Sequence, residues 1–431
     1  MTEPRAVARA AVTAADIPAD ELPRLRRRMR WVLFVVAALG STGYIAAVTV
    51  GTLVAADLSG GAALGGLPTT TTTIGTAMAA SLLAVVMLRS GRRLGLLLGL
   101  AVGILGGAVV VVSVITESIP LLLLGSAFTG AANAAGNLGR YIAADLASPE
   151  RRASAIGLVV WGTTVGAVIG PNLTAPAGAV ATSLGLPELA GPYFLTVVFI
   201  GLAWLVAAIL LRPEPYALAD PSALPGRDTI DTGPAPSLAQ LLARPAVSAA
   251  LVTLAASQVV MVLIMTMTPL HLMDHGHGLA TVGFVLSAHT FGMFGLSPIT
   301  GRLTDRFGSI RVIAAGLIGL AAAALLAALA PPDGGPLLTL ALFLLGYGWN
   351  LCFVAASSLI SHNLSLGERT RVQGLADTLT WGTAAFASLS SGLVVAAASY
   401  TVLGFVGIVL TAIPAAFLVL QGRRLRSAAA A

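Results

Sequence analysis

From residue 31 onward the chain is a train of apolar runs, each about 20 residues or longer, separated by short polar connections. A helix rises 1.5 Å per residue, so a run of ~20 residues crosses the roughly 30 Å hydrocarbon core of a bilayer. Lipid offers no partner for backbone N–H and C=O groups, and helices pair theirs internally. The chain is 57% hydrophobic and 10% charged, against about a quarter charged in soluble domains. A water-soluble fold is excluded. The expected class is an all-α membrane protein with twelve transmembrane helices in two six-helix halves. The runs cover roughly 31–56, 69–88, 95–115, 119–140, 153–175 and 192–211, then 247–270, 280–299, 311–330, 336–362, 373–397 and 401–420.

Charge predicts the orientation. All 24 basic residues are arginine. After the Arg-rich first 30 residues they gather at Arg89, Arg92 and Arg93, at Arg140, Arg151 and Arg152, and at Arg212, Arg227 and Arg244. Further on they gather at Arg302, Arg306 and Arg311, at Arg369 and Arg371, and at Arg423, Arg424 and Arg426. These groups occupy every second connection; the others carry Asp57, Glu117, Glu188, Asp274 and Asp333. The positive-inside rule then predicts a multi-pass protein of the plasma (inner) membrane with both termini in the cytoplasm. The same distribution argues against a nucleic-acid partner for the net charge of +6. The partners expected are the lipid bilayer and a small substrate, for a monomeric carrier. One cysteine, Cys352, excludes a disulfide framework.

Five segments follow: a cytoplasmic tail 1–30, a six-helix half 31–211, a linker 212–246, a second half 247–421 and a tail 422–431. The linker is rich in Pro, Asp and Arg and reads as flexible. Weak repeats relate the halves. Glu150-Arg151 returns as Glu368-Arg369, Trp161-Gly162-Thr163 as Trp381-Gly382-Thr383, and Arg93-Leu94-Gly95 as Arg306-Phe307-Gly308. Two six-helix halves about a central path form a known transporter plan.

The connection between spans eight and nine reads Gly301-Arg302-Leu303-Thr304-Asp305-Arg306-Phe307-Gly308-Ser309-Ile310-Arg311. It matches G-x-L-x-D-R-x-G-x-x-R, and through it the chain resembles the major facilitator superfamily over nearly all its length after residue 30. That resemblance implies secondary transport by two rocking halves, with Gly301, Asp305, Arg306, Gly308 and Arg311 as a gating loop. Asp305 can cap a helix end and pair with arginines. In the first half, the alignment on Arg93-Leu94-Gly95 puts Arg92 where the acid belongs, which predicts a degenerate latch. Span five carries Gly157, Gly166, Gly170 and Pro171, similar in spacing to the motif of proton-coupled drug antiporters. Helix packing accounts for the same glycines.

Residues 261 to 293 hold five of the nine methionines and four of the five histidines. Thioethers and imidazoles suit soft transition metals, Cu(I) above all. Met261 and Met265 share a helix face, as do His289 and Met293 at the same spacing. In an antiparallel hairpin these pairs are expected at matching depths. His271, Met273, His275 and His277 crowd the far end of that hairpin as a candidate site of metal capture. The M-x-x-x-M and H-x-x-x-M pairs resemble the copper importers of the CcoA-like family, which implies copper as the substrate and Met261, Met265, His289 and Met293 as its ligands. That family also has members that carry a flavin. Asp377 in span eleven is the candidate proton-coupling acid, with Arg371 or a nearby amide as the alternative partner. Arg140 and Asp145 are expected to pair at a helix end. Neither a catalytic constellation nor a phosphate-binding loop is present, so neither enzymatic activity nor a cofactor is expected. Copper import, proton-coupled export of drugs or metabolites, and import of an organic solute such as a flavin all remain open.

Overall fold

The computed structural model describes residues 17–18, 20–59, 66–219, 236–276, 279–331, 335–362 and 364–430. Among them all regular structure is helical. The first half comprises α1 (Leu22–Ser59), α2 (Leu67–Ser90), α3 (Arg92–Ile115), α4 (Ile119–Asp145), α5 (Arg152–Ser183) and α6 (Gly191–Leu210). Two short helices follow in the linker, α7 (Pro215–Ala219) and α8 (Leu238–Leu242). The second half comprises α9 (Pro245–Asp274), α10 (Leu279–Thr290), α11 (Ser297–Phe307), α12 (Ser309–Leu329), α13 (Gly335–His362), α14 (Leu366–Ala397) and α15 (Tyr400–Ala430).

Eleven of these helices are long and apolar enough to cross a membrane. The eighth crossing is composite: α10, a π-helical turn at Phe291–Gly295, then α11. Its breakers are legible, since Gly292 and Gly295 lie in the turn and Pro298 opens α11. A π turn leaves backbone groups out of the usual ladder. The buried Asn350 of α13 compensates, donating from Nδ2 to Met293 O at 2.7 Å and to Ser297 Oγ at 2.7 Å. Thr300 Oγ1 donates to its Oδ1 at 2.6 Å.

In the first half α1 packs on α5 and α6, and α3 on α4 and α6; in the second α12 packs on α13 and α15. The halves meet along two crossings, α5 with α11 and α2 with α14. Each crossing turns on a glycine. A Cβ on Gly157 would overlap the Ser297 carbonyl, and one on Gly374 would overlap the Ala84 side chain. These glycines lie 217 positions apart, as do Gly91 and Gly308. The latter pair end α2 and α11 with φ of 94° and 84°, a conformation glycine adopts without strain.

That shared offset corrects the sequence alignment of the loops. Gly91, and not Gly95, is the counterpart of Gly308, so Leu88 stands where Asp305 stands and Arg92 is the first residue of α3. The linker is also more ordered at its ends than its composition predicts. Tyr216, Ala217 and Leu218 are buried, and Arg26 of α1 donates to Leu218 O at 2.5 Å. Glu214 accepts from the backbone N–H of Arg92 at 2.7 Å, tying the linker to the start of α3. Burial raises the Glu214 carboxyl above the usual carboxylate range, against the pull of the Arg93 and Arg92 N–H groups.

Candidate functional site

The arginine-rich end of the bundle is closed by polar contacts between the halves. Asp305 accepts from the backbone N–H of Ala153 at 3.0 Å and of Ser154 at 2.9 Å, and from the Ser154 hydroxyl. It therefore caps α5 across the interface, where the positive end of the helix dipole favours a carboxylate. Among the described residues it has no arginine partner. Gly301 makes the approach feasible, since a Cβ there would lie 2.7 Å from Ala153 O. Arg306 lies over the Phe307 ring, and Arg311 donates to Phe307 O.

The first-half loop is not silent, because Arg92 supplies what Leu88 cannot. Its guanidinium is fully buried and pairs with Asp145 at 2.7 Å. It also donates to Gln373 of α14, in the other half, at 2.7 Å. Asp145 in turn meets Arg369 of α14 at 3.3 Å. One acid is thus held between arginines of opposite halves. Tyr216 of the linker lies against Arg92, 5.0 Å from guanidinium to ring centroid, and its hydroxyl pairs with Thr370 of α14.

Deeper in the bundle is a second ion pair between the halves. Arg140 of α4 and Asp377 of α14, each about 1% exposed, meet at 2.5 Å. Arg140 also bonds Asn137 O at 2.6 Å, the Tyr141 hydroxyl at 2.9 Å and Ser357 Oγ of α13 at 3.2 Å. Its guanidinium lies between two rings, 4.2 Å from the Tyr141 centroid and 4.3 Å from that of Phe353. Phe353 stacks on Trp349 at 4.5 Å, and Phe294 meets Trp349 edge-on at 6.0 Å. Trp349 Nε1 donates to Gln258 of α9 at 2.7 Å. Guanidinium, carboxylate, amide and four aromatic rings thus form one continuous cluster between the halves.

The expected pairing of Arg140 with Asp145 is therefore not made. Residues five apart on a helix are separated by about 140° around its axis, so the two side chains leave α4 in different directions. Asp377 pairs with Arg140, whereas Arg371 donates to Pro236 O. A signal was present: two opposite charges inside apolar spans are costly alone and far cheaper together.

The methionine and histidine residues lie on two spans that touch each other only lightly. Met261 is buried in the apolar core, with Met265 and Met293 half-buried against it. Span seven packs chiefly on α13, α14 and α15 and only lightly on α10. His289 looks to α13: its Nδ1 lies 2.9 Å from Leu342 O, and its backbone abuts Gly346. A carbonyl only accepts, so Nδ1 carries the proton and Nε2 is the free lone pair. That Nε2 is buried without a hydrogen-bond partner. Met293 sits inside the π turn, so it is not stacked one α-helical turn from His289 as a uniform helix requires. No group of three or more His, Cys, Asp or Glu residues suited to a metal occurs among the described residues.

Other small and polar residues of the spans take up packing and local hydrogen bonds. Gly166 and Gly170 let α5 approach α1 at Ser41, Thr42 and Ala46, and Pro171 lies within α5 without ending it. Thr70 to Thr73 bond back to carbonyls of their own helix. Asn137 donates to Asn133 O, and Asn133 reaches Thr76. At the opposite end of the bundle His271 and His275 border a cavity. Met273 lies in α9, and His277 lies outside the described residues.

The match to known proteins agrees with this architecture. The Major Facilitator Superfamily model matches residues 31–388 and 249–430. The chain is 37% identical over 395 residues to an uncharacterized MFS-type transporter, YddS, of Bacillus subtilis, spanning 90% of this chain and 89% of that protein. It is 31% identical over 368 residues to the riboflavin transporter RfnT of Brucella anthropi, spanning 85% and 88%. Among solved structures it superposes on FucP in the outward conformation with a TM-score of 0.74 at 16% identity, covering 91% of this chain and 98% of that one. The chain belongs to the major facilitator superfamily and is a secondary transporter.

Proposed function

We propose that the protein takes up an organic solute with a flat, hydrogen-bonding ring system, a flavin being the leading instance, by alternating access. The observation that carries this reading is the cluster of Arg140, Asp377, Phe353, Trp349, Phe294 and Gln258 between the halves. Stacked rings beside a guanidinium and an amide offer what a planar heteroaromatic needs: π faces and edge-on donors. Likeness to a riboflavin transporter over 85% of the chain supports the same class. Asp377 is the proton-coupling group in this reading. Its protonation removes the charge opposite Arg140 and frees the halves to separate at the arginine-rich end. Asp305 and its loop act as the outer latch. The alternating arginines support cytoplasmic termini in the inner membrane. The test is uptake of labelled riboflavin by riboflavin-auxotrophic bacteria carrying wild type, Phe353→Ala or Asp377→Asn. Wild-type uptake lost in both variants, with the protein still in the membrane, supports the reading; wild-type uptake no greater than the empty vector refutes it.

Copper import through Met261, Met265, His289 and Met293 is the second reading. It is favoured by one observation, the buried and unpartnered His289 Nε2. A neutral imidazole with Nδ1 tied to a carbonyl is poised as a ligand through Nε2. Copper accumulation that Met265→Ala and His289→Ala both abolish would establish it. Accumulation unchanged by either substitution would end it.

A further inference from the structure

At the end of the bundle away from the arginines, α9 presents Met267, His271 and His275 four residues apart, so all three lie on one helix face. They border a cavity of about 290 Å³ closed on its far side by Val395, Ser399, Tyr400 and Thr401. The two imidazole rings are 4.3 Å apart between centroids. His271 stacks on Tyr400 at 4.1 Å with 13° between planes, and Tyr400 is anchored by its hydroxyl to Thr268 Oγ1 at 2.8 Å. The ring of His271 is thus held in place by a buried aromatic. His275 is exposed, and its Nδ1 lies 2.7 Å from His271 O. Since a carbonyl only accepts, Nδ1 bears the proton and Nε2 keeps its lone pair, on a residue that lines the cavity. Tying one ring nitrogen to a backbone carbonyl is how proteins fix the tautomer and aim of a metal-binding imidazole.

We propose that Met267, His271 and His275 form a binding site for a late first-row transition-metal ion at the mouth of the second half. Two imidazoles and a thioether select copper, nickel or zinc over hard cations such as magnesium or calcium. Metal–nitrogen bonds of about 2.0–2.1 Å require the ligating nitrogens ~3 Å apart, which rings this close reach by small rotations. Three protein ligands leave a position for water, so the site exchanges its ion and does not bury it. The proposal does not depend on which solute the central path carries. An ion here bridges two turns of α9 beside the α14–α15 turn.

The experiment uses the untagged full chain in lipid nanodiscs, with Cu²⁺ as the probe and electron paramagnetic resonance as the readout. One exchangeable Cu²⁺ per chain, with hyperfine splitting from two imidazole nitrogens, is expected for wild type and for His289→Ala. In His275→Ala, a change at an exposed position, one nitrogen coupling disappears and binding weakens tenfold or more. His271→Ala should do the same. Absence of stoichiometric binding overturns the proposal, as does binding unaltered by His275→Ala. A spectrum that His289→Ala abolishes overturns it too, because the ion would then sit in the span-eight site.

Discussion

Asp377→Asn tests the reading that the buried pair holds the arginine-rich end shut. Removing one partner of a buried ion pair costs about 3–5 kcal/mol, since the other charge stays buried. Asparagine keeps one acceptor oxygen, and Arg140 keeps Asn137 O, Ser357, the Tyr141 hydroxyl and two ring faces. The cost therefore belongs at the lower end, about 3 kcal/mol. It falls on the closed state, in which α4 and α14 meet; in the proposed open state the two helices part and both groups reach water. At 1.4 kcal/mol per factor of ten, that is about a hundredfold shift, enough to turn a 99:1 equilibrium into a nearly even one. Spin labels at Arg89→Cys and Arg302→Cys report the separation of the halves, because both positions are exposed and the native Cys352 is buried. A second, longer distance of comparable weight is expected in Asp377→Asn. The control is Glu368→Gln, which breaks the pair with Arg244, whose side chains are 40% and 16% exposed. Exposed pairs contribute up to about 1 kcal/mol, and this one joins the linker side to its own half. If Asp377→Asn leaves the distance distribution unchanged, or if Glu368→Gln shifts it equally, the reasoning is wrong.

Three further outcomes follow from the same geometry. Asp305→Ala removes the cap of α5, worth about 0.5–2 kcal/mol; the same labels should show a smaller opening than in Asp377→Asn, and an equal or larger one would make Asp305 the principal latch. Gly91→Ala forces a side chain into φ of 94° with its Cβ 2.8 Å from the Glu214 carboxylate. That strain costs on the order of 1–3 kcal/mol, read as a lower thermal midpoint in detergent; an unchanged midpoint would refute it. Asn350→Ala strips the partner from Met293 O and the Thr300 hydroxyl. At about 1–3 kcal/mol per unsatisfied buried group, it should destabilise the second half measurably, and a neutral effect would mean that the π turn closes without it.

Class, repeat and family were written along the chain because bilayer physics acts on local sequence. An apolar run of sufficient length must be a helix, whatever lies beside it, and the connection around Asp305 and Gly308 carries its own turn chemistry. Gly157 was legible only as one of the span-five glycines suited to close packing; that it marks the crossing of α5 with α11, and Gly374 that of α14 with α2, was not. What failed were inferences that needed to know which face of a helix meets which neighbour. Arg140 was matched to the nearest acid in sequence, but the helix turns Asp145 away and brings Asp377 from the other half. Met261, Met265, His289 and Met293 were set in register by assuming a uniform hairpin, and the π turn and the lean of α10 onto α13 break that assumption.

Hydrophobic length, a property of the chain one residue at a time, by itself determined an all-helical membrane protein of about twelve spans, and the motif around Asp305 pointed to the transporter superfamily. Only the tertiary structure decided where its charges go. Buried charge is tolerated only with polar partners, and those that Arg92 and Arg140 reach across the interface, Gln373 and Asp377, lie 281 and 237 residues away in sequence. No local pattern encodes a contact of that range; it exists only once α4, α14 and the start of α3 are packed together.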